Sequence, residues 1–136
     1  MVIAVPNFSS WQARWAGPAW FHLDPPRHLY HFPLAALKML LTDCGFECRS
    51  EHHFSLRQNP FGWVQSWMNK RARWRRNVLY EFLQHRRSGS GQRFDRGTKA
   101  VLLTAFLLGM PVGLALELVA SVLRTGATVH VVARAK

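Results

Sequence analysis

The polar residues of WFHLDPPRHLYHF, from Trp20 to Phe32, are His22, Asp24, Arg27, His28, Tyr30 and His31. Three imidazoles near a carboxylate can move protons, because histidine changes charge close to neutral pH. Arg27 offers a fork that pairs with an acidic or phosphorylated group. The same histidines with Asp24 could ligate a metal. That reading is set aside, since no two of them share a helical face and Asp24 runs into Pro25-Pro26, so no metal is expected. The bland alternative is that the rings pack and the polar tips fix the loop or cap helix ends.

This loop has to be held by regular elements. Val2-Ile3-Ala4-Val5 is a short apolar run stopped by Pro6-Asn7, which predicts a buried strand ending at Asn7. In an open α/β sheet, ligands gather at the carboxyl ends of strands, so Asn7 and the loop after it form the expected substrate mouth. One helical turn is expected over Ser9–Trp15, with Gly17-Pro18 and Pro25-Pro26 as punctuation. Leu34–Cys44 predicts an amphipathic helix with Leu34, Leu37, Leu40 and Leu41 on one stripe, started by Pro33 and ended by Gly45. The alternation of Phe46, Cys48, His52, Phe54 and Leu56 with charged residues predicts a half-buried strand, with His52 and His53 on opposite faces.

Gln58–Gly62 reads as a turn, and helix is expected from about Trp63. Its apolar stripe runs through Val64, Trp67, Met68, Trp74, Val78, Phe82 and Leu83. Lys70, Arg71, Arg73, Arg75 and Arg76 interrupt that stripe and point around most of a helix. Basic residues among tryptophans suit nucleic acid or a membrane surface, and an ordinary solvated turn is the plain alternative. Arg86–Gly97 reads as a flexible basic linker. Ala100–Leu123 is the most apolar stretch, with Glu117 its only charge, and exceeds the about 20 residues that span a bilayer. Thr128–Val132 is a strand, with Ala127, Val129, Val131 and Ala133 on one face. If it pairs with the earlier strands, a single span would leave strand and sheet on opposite sides of a membrane. The expectation is therefore a hairpin or lid bent at Gly109–Gly113.

At 136 residues the chain suits a single domain. A formal net charge of +11 excludes an acidic protein and favours polyanionic partners, whether nucleic acid or an anionic membrane face. The two cysteines, Cys44 and Cys48, make neither a disulfide framework nor a zinc site, which predicts a reducing cytoplasm. Met1 leads into a strand without a basic segment, so no cleaved leader is expected.

Several segments in order resemble one family. They are VIAVPN, W-x-A-R at Trp11–Arg14, WFHLDPPRHLYHF, a Leu-rich helix ending CGFE, QNPFGWVQSWMN and the closing GATVHVVAR. Together they resemble class I S-adenosylmethionine-dependent methyltransferases, in a bacterial branch related to the quinone-biosynthesis enzymes. HFPLAAL departs from the family's HF-[ST]-P-x-x-L and loses a capping hydroxyl. The resemblance implies an α/β fold: the carboxyl-terminal half of a Rossmann-like sheet with three strands. Val2–Val5 would be its fifth strand, Phe46–Leu56 its sixth, and Thr128–Ala133 an antiparallel seventh inserted between them. Residues 1–136 would form one partial domain, with 60–124 as a helical insertion, basic then apolar.

The cofactor implied is S-adenosylmethionine, yet no Gly-rich loop follows a strand here, and Ser88-Gly89-Ser90-Gly91 lacks the strand–turn–helix context. The resemblance thus implies a truncated product or a start read at an internal methionine, inactive by itself. His28 or His31 would act as the base, with Asn7, His22, Asp24, Arg27 and Tyr30 holding a small or lipid-like substrate. The protein would be cytoplasmic, touching the inner membrane face through 70–76 and 100–123. A non-enzymatic basic membrane- or nucleic-acid-binding protein is the rival reading.

Overall fold

The computed structural model describes residues 1–24, 28–88 and 94–136, with the backbone alone for 85–88. Ala127, Val129, Val131 and Ala133 share one face of the strand, and each is at most 1% exposed. That face makes Thr128–Ala135 (β3) the centre of a three-stranded sheet with Val2–Pro6 (β1) and Phe46–His52 (β2), in the order β1-β3-β2. β3 runs antiparallel to both neighbours, with Val2 opposite Val132 and Phe46 opposite Ala135. The expected insertion of the closing strand between the other two is therefore present. The fold is α/β, with five α-helices among the described residues.

β1 is less buried than its apolar run suggests. Val2 and Ala4 are exposed and Ile3 and Val5 half-buried, because helix α2 (Leu34–Asp43) covers only one face of the sheet. Leu37 and Leu41 of α2 pack on Val129, Val131 and Ala133, whereas Leu40 of the expected stripe is 47% exposed. Gly45 ends the helix at φ 81°, as a left-handed stop requires.

β2 stops at His52, not Leu56. A bulge between Cys48 and Ser50 shifts its register, so Glu51 turns inward and His52 outward. Glu51 meets Lys38 of α2 in an ion pair, whose hydrogen bond holds its carboxyl below the usual range. Phe54 and Leu56 are exposed as a result.

Helix α3 (Asn59–Asn69) begins inside the expected turn, because Pro60 in the first turn favours a helix start. Nor does helix continue through the basic cluster. The chain breaks after Asn69 and resumes at α4 (Val78–Ser88), with Asn77 left-handed at φ 60° and its N–H donating to Asn69 Oδ1 (2.8 Å). The expected basic linker is largely helical at both ends. α4 runs to Ser88 and Asp95 caps α5 (Arg96–Val122), while 89–93 lie outside the described residues.

α5 corrects the hairpin expectation. It is one continuous helix through Gly109, Pro111 and Gly113. The two glycines face α3, where a side chain at Gly109 would meet Val64 (2.9 Å) and one at Gly113 would overlap the Pro60 carbonyl. They sit four residues apart on one helix face, so they bring two helices close and do not mark a bend. Pro111 points to the exposed side. It removes one backbone donor without meeting a neighbouring element, so Pro111→Ala should raise stability by about 1–3 kcal/mol. A lower thermal midpoint in that variant would contradict this account of the helix. Leu102 of α5 completes a core with Val64, Met68, Val78, Leu79 and Phe82.

Candidate functional site

The loop between β1 and α2 returns to the strand end it left. Asn7 bridges Phe32 in parallel, and Phe8 N–H donates to the Phe32 carbonyl (3.1 Å). Asn7 is 2% exposed and is spent on this junction. Its Nδ2 donates to the Gly126 carbonyl (3.2 Å) and its Oδ1 accepts from Ser9 Oγ (2.7 Å). It therefore holds the two ends of the loop together.

After Asn7, Ser10 caps the short helix α1 (Trp11–Ala16) by accepting from Ala13 N–H (3.1 Å). Behind α1 lies a buried polar layer that no local pattern announces. Trp20 Nε1 donates to Gln12 Oε1 (2.9 Å), Gln12 Nε2 donates to the Asn59 carbonyl (3.0 Å), and Phe21 N–H donates to Ser66 Oγ (2.9 Å). The Arg76 guanidinium braces the same loop from outside, donating to the carbonyls of Pro18 (2.7 Å), Trp20 (3.2 Å) and Leu23 (3.0 Å).

The structure brings His22, His28 and His31 together. His22 is buried against Trp20, ring centroids 5.3 Å apart, and its Nε2 has no hydrogen-bond partner. Burial, helped by the neighbouring charges of His28 and His31, lowers its pKa to about 4, so it stays neutral and serves as packing. His31 sits half-buried between Phe8 (6.1 Å), Trp20 (6.2 Å) and His28 (6.2 Å). Its Nε2 lies 3.2 Å from the His22 carbonyl. A proton on Nε2 satisfies that carbonyl and leaves the lone pair on Nδ1, the atom able to accept a proton. His28 is exposed, and Tyr30 is 78% exposed and stacked on Phe32. Asp24 is half-buried, its carbonyl accepting from His28 N–H (3.2 Å). Arg27 lies outside the described residues.

Two hollows flank α1. A pocket of about 520 Å³ beside the histidine loop is lined by Phe8, Ala13, Arg14, Gly17, Pro18 and Leu23. On the other side of α1, Trp11 and Trp15 face an apolar groove of about 770 Å³ running to α5. Sequence reading missed this groove because its tryptophans come from three separate segments. Their spacing near the basic cluster was the one signal available.

A second buried cluster joins α3 to α5. Asn59 Nδ2 donates to Glu117 Oε1 (2.6 Å), and both residues are fully buried. The Trp63 indole N–H lies near the same carboxyl without forming a hydrogen bond. Burial outweighs both polar neighbours and pushes the Glu117 pKa up to about 7. His53 is buried beside this junction, and burial lowers its pKa against the opposing pull of Glu51. Among the described residues, no group of three or more His, Cys, Asp or Glu is placed to hold a metal ion. Both cysteines are free thiols.

No protein-family description, curated protein or solved structure matches this chain.

Proposed function

We propose that this chain is the substrate-facing, carboxyl-terminal portion of an S-adenosylmethionine-dependent methyltransferase acting on a small or lipid-like molecule. The observation that carries the reading is the strand order β1-β3-β2 with the last strand antiparallel between the other two. That is the order the resemblance demands of a fifth, seventh and sixth strand. The histidine loop then falls at the carboxyl end of β1, where such sheets place their ligands.

In this reading His31 takes the proton released during methyl transfer, through Nδ1, while the His22 carbonyl holds the ring. His28, exposed beside it, relays that proton to water. Asp24, Tyr30 and Arg27 contact the substrate, and Asn7 and His22 hold the mouth in shape. S-adenosylmethionine would be held by a Gly-rich strand–turn–helix that these 136 residues do not include. Among the described residues β1 pairs on one edge only, and its free edge is where a cofactor-holding sheet would join.

The test begins with the DNA upstream of the Met1 codon, read for an in-frame Gly-rich strand–turn–helix. The extended protein is then assayed for transfer of labelled methyl groups into an organic-phase product. His31→Ala is expected to lower the rate about 100-fold or more, and His28→Ala by less. An extended protein that does not bind S-adenosylmethionine in calorimetric titration would remove the reading.

Contact with the inner face of a membrane belongs to the same proposal. α5 is long and apolar enough to cross a bilayer by length and composition, with mean hydropathy 2.0 over a window only 17% buried. Leu107, Leu118, Val119 and Val122 are each at least half exposed on it. Packing of α5 on α3 through Gly109 and Gly113 favours a helix lying against the protein, with its outer face toward lipid. The non-enzymatic rival keeps this membrane contact and gives up the chemistry.

A further inference from the structure

The groove on the far side of α1 takes no part in the proton transfer proposed above, although its α5 wall belongs to the helix placed there against lipid. Five of the six tryptophans of the chain, Trp11, Trp15, Trp63, Trp67 and Trp74, form one wall. The opposite wall is the α5 face carrying Val101, Leu108 and Val112, which are 48%, 70% and 60% exposed. At about 770 Å³ the hollow is in the size range of small-molecule sites.

Three cations stand on that aromatic wall. Lys70 Nζ lies 4.8 Å from the Trp15 ring centre, Arg71 4.8 Å from that of Trp67, and Arg73 5.7 Å from that of Trp74. Lys70 Nζ also donates to the Trp15 carbonyl (2.8 Å), which fixes it beside that ring, while Arg75 pairs with Glu81 (2.7 Å) and Arg76 braces the loop. Among the described residues, Lys70, Arg71 and Arg73 have no carboxylate partner. An apolar, ring-walled trough whose tryptophans carry cations without carboxylate partners complements a molecule that is apolar along its length and anionic at one end.

We infer that this groove binds the hydrocarbon tail of a single anionic amphiphile, with its headgroup held by Lys70, Arg71 and Arg73. The tail replaces water on the tryptophan wall and on the Val101–Val112 face of α5. The headgroup meets cations already oriented by the rings beneath them, so little side-chain freedom is lost on binding.

The probe is decyl phosphate kept below its micelle concentration, titrated into the full chain and followed by tryptophan fluorescence. Saturable one-to-one binding is expected. Decyl maltoside, with the same tail and no charge, should bind about tenfold more weakly, and inorganic phosphate should not perturb the tryptophans. Leu108→Glu, on the groove, should weaken decyl phosphate about tenfold or more, while Leu107→Glu, equally exposed but outside the groove, should leave it unchanged. Equal losses in the two variants would overturn the assignment in favour of a general lipid-facing helix. So would binding to anionic vesicles without binding of the monomeric probe. A dimer in sedimentation that Leu108→Glu converts to monomer would overturn it too, because a second copy would then be the occupant. Loss of S-adenosylmethionine binding in the extended protein would touch only the methyl-transfer reading.

Discussion

Gly126→Ala should destabilise the fold by about 2–4 kcal/mol, seen as a lower urea midpoint with little change in slope. Gly126 lies in the turn that carries the chain from α5 into β3. A Cβ there would overlap the His53 carbonyl oxygen and approach Glu117 Oε1 at 3.1 Å. Neither neighbour can yield cheaply. His53 follows the last β2 pair, His52 with His130, and precedes the first turn of α3, whose Asn59 side chain reaches its carbonyl (3.5 Å). Moving Gly126 instead would break the Asn7 hydrogen bond that closes the histidine loop onto the sheet. The contrast is Gly45→Ala, where a Cβ meets nothing and only the φ of 81° is strained, for about 1 kcal/mol. Equal losses at the two positions would mean that close approach is not what Gly126 supplies.

The second large effect is a pair of opposed pH dependences. Glu117 has a carboxyl pKa of about 7 in the fold against an ordinary 4.5, so the folded state holds its proton more tightly. Its contribution is fully present below about pH 4.5 and is lost as pH rises through about 7. His22 has the opposite sign, with a folded pKa of about 4 against an ordinary 6.5. Its contribution is present above pH 6.5 and is lost as pH falls toward 4. His53, also lowered by burial, slopes the same way as His22. Between about pH 4.5 and 6.5 Glu117 opposes the two histidines, so the stability of the wild-type chain should rise with pH more shallowly than the histidines alone would make it.

Glu117→Gln keeps an acceptor for Asn59 and removes the titration. Its stability should climb with pH from about 4 to 6.5, following the histidines alone. Above pH 7 it should exceed the wild type by about 2 kcal/mol, the cost of ionising a carboxyl in a dry junction. Urea midpoints measured across this range check both features. Parallel profiles for the two proteins would show that Glu117 does not titrate as this environment requires.

The pairing of the closing strand between the other two was implied only by the family resemblance, whereas the order of elements and the position of the histidine loop at a strand end were legible in the residues themselves. The last two depend on local patterns: β-branched alternation at Thr128–Ala133, a proline stop at Pro6, a Leu-rich helix closed by Gly45. Periodicity and turn chemistry act over a few residues, so they survive being read one segment at a time. What only the tertiary structure decided lies where distant segments meet. Gly109, Pro111 and Gly113 look like a bend in isolation, and become a contact face once α3 supplies Val64 and Pro60 to fill the space. The bulge at Arg49 moved Glu51 inward to meet Lys38, a shift that strict alternation cannot foresee. Five tryptophans scattered between positions 11 and 74 signal at most an aromatic-basic surface near the cluster, and become one wall only when α1, α3 and the chain after it converge on α5. Burial and side-chain contact are properties of the assembled chain, and it is these that separate the buried His22 from the half-buried His31 and raise the pKa of Glu117.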